Sequence, residues 1–463
     1  MIKLLFLDYR QFERVDGFQR QLEPPRKHGA PLLASDQEPW ERNLLQFYGS
    51  VLRRPDGLFQ MWYSAGGFSQ MKIGYAESED GIAWRRPALG VMEWQGRKTN
   101  IVMDGCPIGA TVIYDEREPR ETWRYKMLCA PEPVTRISAF RSADGIHWTP
   151  AAENPVLGVH PDGPMGLLRQ RDGRYAAYHR PGLGDRRVAR SESWDFAHWS
   201  EPKVVVEPDQ DDPTNVQFYG MGAIPYGAYE IGTLWTYRTV ASDMSWTKFF
   251  GGVMWPEFVH SRGGYAWHRT AQGVPWIPLS DEGFDRRQIR MASQPVLLPD
   301  EIRFYYAGCW KGHAYDGKAE QGEALWAISF AACKPDRFVS VTATSEGRIL
   351  TRPFWTENPC FFVNAEVAPG GCIRAEITDV EAKPIPGFEL ENSLPIVGDS
   401  CYHRLGWKGA PEPSSLANRE IRIRLEAKAA KLYSVFAGSE QEGRRYWDFD
   451  LPDCLPMKRV RKC

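Results

Sequence analysis

Apolar and polar residues alternate in short runs along most of the chain, the two-residue period of β-strands with one buried face. Up to residue 344 these runs fall into groups of four, separated by Gly, Pro, Asn and Asp. The first group predicts strands at Leu44–Leu52, Leu58–Ser64 and Lys72–Glu77 and one starting at Trp84. The second predicts Gly109–Tyr114, Thr122–Ala130 and Ile137–Arg141, ending at Trp148, and the third Met165–Gln170, Arg174–His179 and Arg187–Ser191, ending at Trp199. The fourth predicts Phe218–Ile224, Tyr229–Tyr237 and Lys248–Met254, ending at Trp267. The fifth runs through Arg290–Leu297, Glu301–Tyr306 and Ala324–Phe330 to Phe338–Thr342. The apolar start Ile2–Leu7 is placed to complete the last group. Five groups of four strands, with few helices anywhere, predict an all-β, five-bladed β-propeller.

A short repeat punctuates the groups. Ser78-Glu-Asp80-Gly81-Ile-Ala-Trp84 and Ser142-Ala-Asp144-Gly145-Ile-His-Trp148 share serine, aspartate, glycine and tryptophan at the same offsets. Ser193 to Trp199 and Ser261 to Trp267 are degenerate copies that keep the serine-to-tryptophan spacing. The copies start at residues 78, 142, 193 and 261, a little further apart than the roughly 40–45 residues of a four-stranded blade. Asp-Gly predicts a tight turn, with glycine supplying positive φ and aspartate capping through its side chain. The tryptophan is then expected to start the next strand and fill the gap between neighbouring blades. These residues are expected to build the fold, so chemistry has to be sought elsewhere.

Near Ser345 the pattern changes. Shorter runs separated by Pro and Gly (Arg348–Pro353, Phe361–Val367, Cys372–Thr378, Cys401–Trp407, Ile421–Ala427, Lys431–Phe436) predict a β-sandwich. The expected domains are 1–344, the propeller with an N-terminal arm, and 345–463, the sandwich, which supports the propeller or makes a homo-oligomer contact.

Composition narrows the function. A net charge of −2 leaves no basic surplus to neutralise phosphates, so nucleic acid is not an expected partner. The nine cysteines have no metal-type spacing, so neither a metal nor a cofactor is expected. No apolar run is long enough for a membrane span, and Leu4–Leu7 is too short for a secretory signal, which predicts a cytoplasmic protein. Aromatic content of 13% serves a β-rich core first and sugar stacking second.

Five such groups, a Met61-Trp-Tyr-Ser64 second strand and a C-terminal sandwich resemble the glycoside hydrolases of families 32, 43 and 68, and most of all uncharacterised family-32-like proteins. The matching stretches are Phe47–Ser64, Trp194–Pro202, Phe218–Tyr237 and Glu301–Gly308. The resemblance implies a propeller glycosidase acting on a carbohydrate substrate. The Trp-Met-Asn-Asp-Pro-Asn-Gly, Arg-Asp-Pro and Glu-Cys motifs of family 32 do not occur here, so its catalytic residues do not transfer.

Glycoside hydrolysis needs one protonated carboxyl and one carboxylate. In propellers of this kind the pocket lies where the innermost strands begin, so carboxylates just ahead of the first strands are the candidates: Glu41, Asp104, Asp162 and Asp212, with Glu41 and Asp212 foremost. Each of the four also suits a turn or cap. Trp40 and Trp310 are candidate stacking platforms, and Tyr219 sits in the segment Phe218-Tyr219-Gly220 that is expected to shape the sugar site. The loops after the second strands bring His179, Arg180, Lys311 and His313 to the same face, to bind sugar hydroxyls, a uronate or a phosphate. A propeller-type glycoside phosphorylase, holding phosphate with Arg180, Lys311 and His313, is the first alternative. A non-catalytic carbohydrate-binding propeller and a purely structural propeller are the others.

Overall fold

The computed structural model describes residues 1–41, 44–66, 71–106, 108–131, 136–158, 163–182, 185–239, 252–313 and 326–450. Among them the fold is nearly all β, with one short α-helix at Glu440–Gly443. No helix among the described residues is long and apolar enough to cross a membrane.

Three separate antiparallel sheets have four strands each, in simple meander order. The first holds Leu45–Arg53, Phe59–Ala65, Lys72–Ser78 and Ile101–Asp104; the second Ile108–Tyr114, Tyr125–Ala130, Ser138–Ser142 and Thr149–Pro150; the third Gly166–Arg169, Tyr175–His179, Val188–Ser193 and Lys203–Val206. A ten-stranded sheet contains two more meanders. One is Val216–Tyr226, Tyr229–Arg238, Val253–Ser261 and Trp267–Arg269; the other is Gln288–Met291, Ile302–Cys309 and Trp326–Cys333. A single parallel pairing, Met254 with Gln288, joins them. The strands that open each meander, and those that follow them, are almost entirely buried, as expected for strands covered on both faces.

The opening strands face one another in a circle. Ser50 Oγ donates to Ala110 O at 3.2 Å and accepts from Val112 N at 2.7 Å. Thr111 Oγ1 donates to Pro164 O at 2.8 Å, and Phe218 N donates to Arg186 O at 2.9 Å. Ala223 N then donates to Ser293 O at 3.1 Å, and Ser293 N to Gly49 O at 2.9 Å, which returns to the first sheet.

The four repeat copies adopt one turn. In each, the serine Oγ accepts the N–H three residues on, at 2.9 Å. That third residue has positive φ in all four: Gly81 (72°), Gly145 (78°), Phe196 (66°) and Gly264 (74°). Trp84, Trp199 and Trp267 each close the turn by donating Nε1–H to the carbonyl of that residue, at 3.1, 3.2 and 2.9 Å. In the second copy Trp62 takes this acceptor, donating to Gly145 O at 2.7 Å. The four indoles are half-buried rather than enclosed, and Trp84, Trp148 and Trp267 meet Tyr305, Trp62 and Tyr178 of the preceding sheet edge-on. Trp84 does not begin a strand; the fourth strand of the first sheet is Ile101–Asp104.

Two expectations about closure are corrected. Ile2–Leu5 does not complete the fifth meander; it pairs with Arg419–Ala437 in a separate eight-stranded sheet. The outer strands on Trp326–Cys333 are instead Arg26–Lys27 and Leu33–Ala34, two residues each. Phe338–Thr342 likewise leaves the fifth group, because Val339–Thr351 is one strand of that separate sheet, paired with Phe12–Asp16, Gln19–Leu22 and Arg419–Ala437. The expected division at 344/345 therefore falls inside a strand.

In the eight-stranded sheet, Phe361–Thr378 and Arg419–Ala437 each fuse two predicted runs across a register shift. Side chains from both halves of these strands, among them Val363, Ile377, Ile423 and Val435, share one apolar core with Leu4, Phe6 and Phe12. Buried Asp336 joins this sheet to the ten-stranded one: it accepts from Lys3 Nζ at 2.9 Å, Ser434 Oγ at 2.6 Å and Tyr226 OH at 2.6 Å.

Candidate functional site

Three of the five opening strands present the same pattern to the centre of the circle. Gln46-Phe47-Tyr48-Gly49 and Gln217-Phe218-Tyr219-Gly220 are one tetrapeptide used twice, and Gln288-Ile289-Arg290 repeats its spacing with arginine in place of tyrosine. Because strand side chains alternate, glutamine and tyrosine (or arginine) share a face. Tyr48 OH and Tyr219 OH lie 2.8 Å apart. Arg290 donates to Gln46 Oε1, to Tyr48 OH at 3.2 Å and to Gln288 Oε1 at 3.1 Å. Met165, just ahead of the third sheet's opening strand, shares an apolar cluster with Tyr48 and Tyr219, and Ile108 of the second sheet packs against that cluster.

The loops after the second strands add cations. Arg180 donates to Tyr219 O from Nε at 3.3 Å and from Nη2 at 3.2 Å, with its guanidinium 4.3 Å from the Tyr219 ring centre. Arg186 lies 5.1 Å from the same ring and donates to Gln217 Oε1 at 2.9 Å. His313 Nε2 lies 2.9 Å from Tyr219 OH. Arg180 and His313, both named from the sequence, thus each contact Tyr219, Arg180 at its backbone carbonyl and His313 at its hydroxyl. Lys311 stays at the rim: its Nζ lies 4.3 Å over the Trp310 ring, and Arg286 also sits over that indole at 5.3 Å.

The other sequence candidates are placed differently. Glu41 is fully buried, with Oε1 accepting from Tyr63 OH at 2.7 Å and from Arg86 Nε at 2.9 Å, and Oε2 from Arg86 Nη2 at 3.0 Å. Burial pushes its carboxyl up to about 7, against the pull of Arg86 and Tyr63. A raised carboxyl suits a general acid, but this one has no exposed surface and both oxygens are occupied. Trp40 beside it is core: its Nε1 donates to Asn100 Oδ1 at 3.1 Å and its ring stacks on Tyr63.

Asp212 pairs with Arg269 Nη1 at 2.6 Å, and Arg269 also grips Glu257, which ties the outer strands of the fourth meander together. Asp104 ends the outermost strand of the first sheet, where it pairs with Lys72 at 2.5 Å, and does not open the second. None of these three carboxylates bonds to the Tyr48–Tyr219–Arg290 group, so the expected convergence of Glu41, Asp104 and Asp212 does not occur. Asp162 lies outside the described residues. His179 is buried with both ring nitrogens engaged inside the third sheet. Nδ1 lies 2.8 Å from Arg180 O, which can only accept, so Nε2 is left to accept from Ser191 Oγ at 3.0 Å. Burial lowers its pKa to about 4.

Elsewhere in the protein a buried carboxylate bridges a tyrosine hydroxyl and a cation again and again. Tyr63–Glu41–Arg86 is one instance, and Tyr175–Asp115–Arg169, Tyr178–Glu230–Arg190, Tyr306–Asp285–Lys27 and Tyr226–Asp336–Lys3 are others. The buried acids are thereby committed to joining strands and sheets. Among the described residues no group of three or more His, Cys, Asp or Glu side chains is placed to hold a metal ion. A cavity of about 630 Å³ lies away from the floor, between Leu7–Arg10 and the turn at Arg262–Gly263. Its acid, Asp8, is paired with Arg262 at 2.8 Å.

No protein-family model matches the chain, and no curated protein matches it. Solved structures do. The catalytic domain of a Coprinopsis cinerea family-62 α-L-arabinofuranosidase is 12% identical, with a TM-score of 0.44 over 68% of this chain and 98% of its own. A glycosyl hydrolase from Bacteroides ovatus is 16% identical, with a TM-score of 0.44 over 68% and 96%. A protein from family 130, described as mannoside phosphorylases that include glycoside hydrolases targeting β-1,2-mannosidic linkages in Candida mannan, is 16% identical, with a TM-score of 0.43 over 69% and 94%. Similarity at this level leaves the function to be read from the chain's own side chains.

Proposed function

We propose that the protein is a glycoside hydrolase acting on a small oligosaccharide or glycoside, built as a five-bladed β-propeller with a C-terminal β-sandwich. The circle of opening strands supports the propeller, with its last blade closed by Arg26–Lys27 and Leu33–Ala34. The shared core of the eight-stranded sheet supports a sandwich made by folding that sheet at its register shifts. On this reading the propeller takes residues 23–338, and the sandwich takes 1–22 with 339–450.

The observation that carries the functional reading is the floor itself. Two tyrosines, three glutamines and three arginines lie together there, with Ile108 and Met165 in apolar contact with the same cluster. Amide, hydroxyl and guanidinium groups beside aromatic faces are the chemistry that binds sugar hydroxyls and ring C–H faces. Asp162 keeps its place as a candidate acid or base, since its sequence position is directly ahead of the opening strand Gly166–Arg169. Phosphorolysis is the second reading, favoured by Arg180 and His313 meeting at Tyr219.

A screen of the full-length protein against chromogenic furanosides and pyranosides, with and without phosphate, tests both readings. Hydrolysis without phosphate is the expected result, and strict phosphate dependence would favour the second reading. With a substrate in hand, Asp162→Asn should lower turnover by on the order of 10²–10⁴ at unchanged stability. If no glycoside is cleaved and no neutral sugar binds, the enzymatic reading fails.

A further inference from the structure

We propose that the floor of the circle binds an oxyanion, so that the ligand taken there carries a carboxylate or is accompanied by inorganic phosphate. This rests on reading the floor as the substrate site, and it turns on Arg290.

Arg290 is 3% exposed, and its guanidinium has only neutral acceptors: Gln46, Tyr48 and Gln288. Its Nε–H has no partner. It pairs with no carboxylate among the described residues. The rings of Trp326, Tyr219 and Tyr48 lie 4.7, 5.2 and 5.4 Å from it and ease its burial, but they bring no negative charge. A buried cation without a counter-charge is costly to the fold, and Arg in particular presents a planar fork that matches an oxyanion.

The protein's own buried acids show what such a fork is usually given. In Tyr63–Glu41–Arg86, Tyr175–Asp115–Arg169 and Tyr178–Glu230–Arg190, a tyrosine hydroxyl and a guanidinium converge on a carboxylate. At the floor the same two groups are already set, with Arg290 Nη1 3.2 Å from Tyr48 OH, while Arg290 pairs with no carboxylate among the described residues. An oxyanion arriving there would complete the arrangement that the rest of the chain makes with its own Asp and Glu. Two sources share this chemistry: a uronate carboxylate on the sugar, and free inorganic phosphate.

Calorimetric titration of the full-length protein at fixed ionic strength with D-glucuronate, inorganic phosphate, D-glucose and chloride separates them. Glucuronate or phosphate should bind, and Arg290→Gln should weaken that binding at least about tenfold, and by a larger factor than it weakens glucose. Binding of glucuronate alone places the charge on the sugar, and binding of phosphate alone makes it a co-ligand. Arg290→Gln should also raise the melting temperature of the ligand-free protein, since it removes an uncompensated charge, whereas a purely structural arginine would leave a destabilised variant. Should that variant not fold, Arg290→Lys, which keeps the charge and loses the fork, should weaken the anion in the same assay. The proposal is overturned if neither anion binds better than chloride, or if both variants bind the anion as the parent does. Glucose binding reports on the sugar site independently, so the two readings fail separately.

Discussion

Tyr48 and Tyr219 occupy the same place in two copies of one tetrapeptide, and their hydroxyls meet at 2.8 Å across the centre of the circle. One hydrogen bond therefore links opening strands that are remote in sequence, beside Arg290, which pairs with no carboxylate among the described residues. Each tyrosine reports on the other. A double-mutant cycle with Tyr48→Phe and Tyr219→Phe should give a coupling of about 0.5–3 kcal/mol in denaturant unfolding, and additive losses would contradict the contact.

Glu41 should behave as a structural acid. Glu41→Gln leaves the Arg86 guanidinium, 9% exposed, without its bidentate partner, at a cost of about 3–5 kcal/mol. Removing both charges with Glu41→Gln and Arg86→Met should recover most of that loss. A Glu41→Gln protein of parental stability but with abolished turnover would return Glu41 to the catalytic list.

The turn repeat predicts a contrast between two glycines with the same φ. Gly264 and Gly273 both sit at 74°, but a Cβ on Gly264 would come within 1.8 Å of Arg190 Nη1, while Gly273 has open space around it. Gly264→Ala should therefore cost on the order of 1–3 kcal/mol more than Gly273→Ala, read as the difference in chemical unfolding free energy. Equal losses would mean that the turn does not dock on the third sheet.

Stability should fall in mild acid through buried histidines. Burial holds His179 at about 4 and, together with nearby Arg20, holds His260 at about 3. Both values are below the roughly 6.5 of a free imidazole. The unfolded chain therefore binds protons first, and the stabilisation present above pH 6.5 is lost as pH drops toward 4. The expected loss is about 2 kcal/mol per histidine between pH 7 and pH 5. His179→Asn should flatten this slope by its share; an unchanged slope would show that His179 is protonated in the folded protein.

Asp336 ties the eight-stranded sheet to the ten-stranded one through Lys3, Ser434 and Tyr226. Asp336→Ala strands Lys3, which is 1% exposed, and should cost about 3–5 kcal/mol. If the two sheets form one cooperative unit, a single unfolding transition shifts downward. Should only one of two transitions move, the junction does not couple them.

The sequence by itself determined the local pieces. Period-two alternation located most strands of the five meanders, because burial on a pleated face depends only on neighbouring positions. Serine, aspartate and glycine at fixed offsets likewise specified the turns, whose bonds close within three residues. The same alternation does not say which sheet a strand joins. Phe338–Thr342 and Ile2–Leu7 thus read equally well in the wrong sheet, and the two-residue strands at Arg26 and Leu33 were too short to give any period. The tetrapeptide Gln-Phe-Tyr-Gly at 46 and 217 was a legible signal for the centre of the circle, though no local rule says that its two tyrosines should touch.

Tertiary structure alone assigned the charges. Glu41 meets Arg86 across 45 residues and Asp212 meets Arg269 across 57, so two carboxylates that the sequence offered as acid and base became ion pairs inside the fold. Arg290 reaches Tyr48 across 242 residues and pairs with no acid among the described residues. The physical reason is that a carboxylate's role depends on which cation the fold brings within hydrogen-bonding distance and on how much water it leaves, and both are set by contacts between segments that are far apart along the chain.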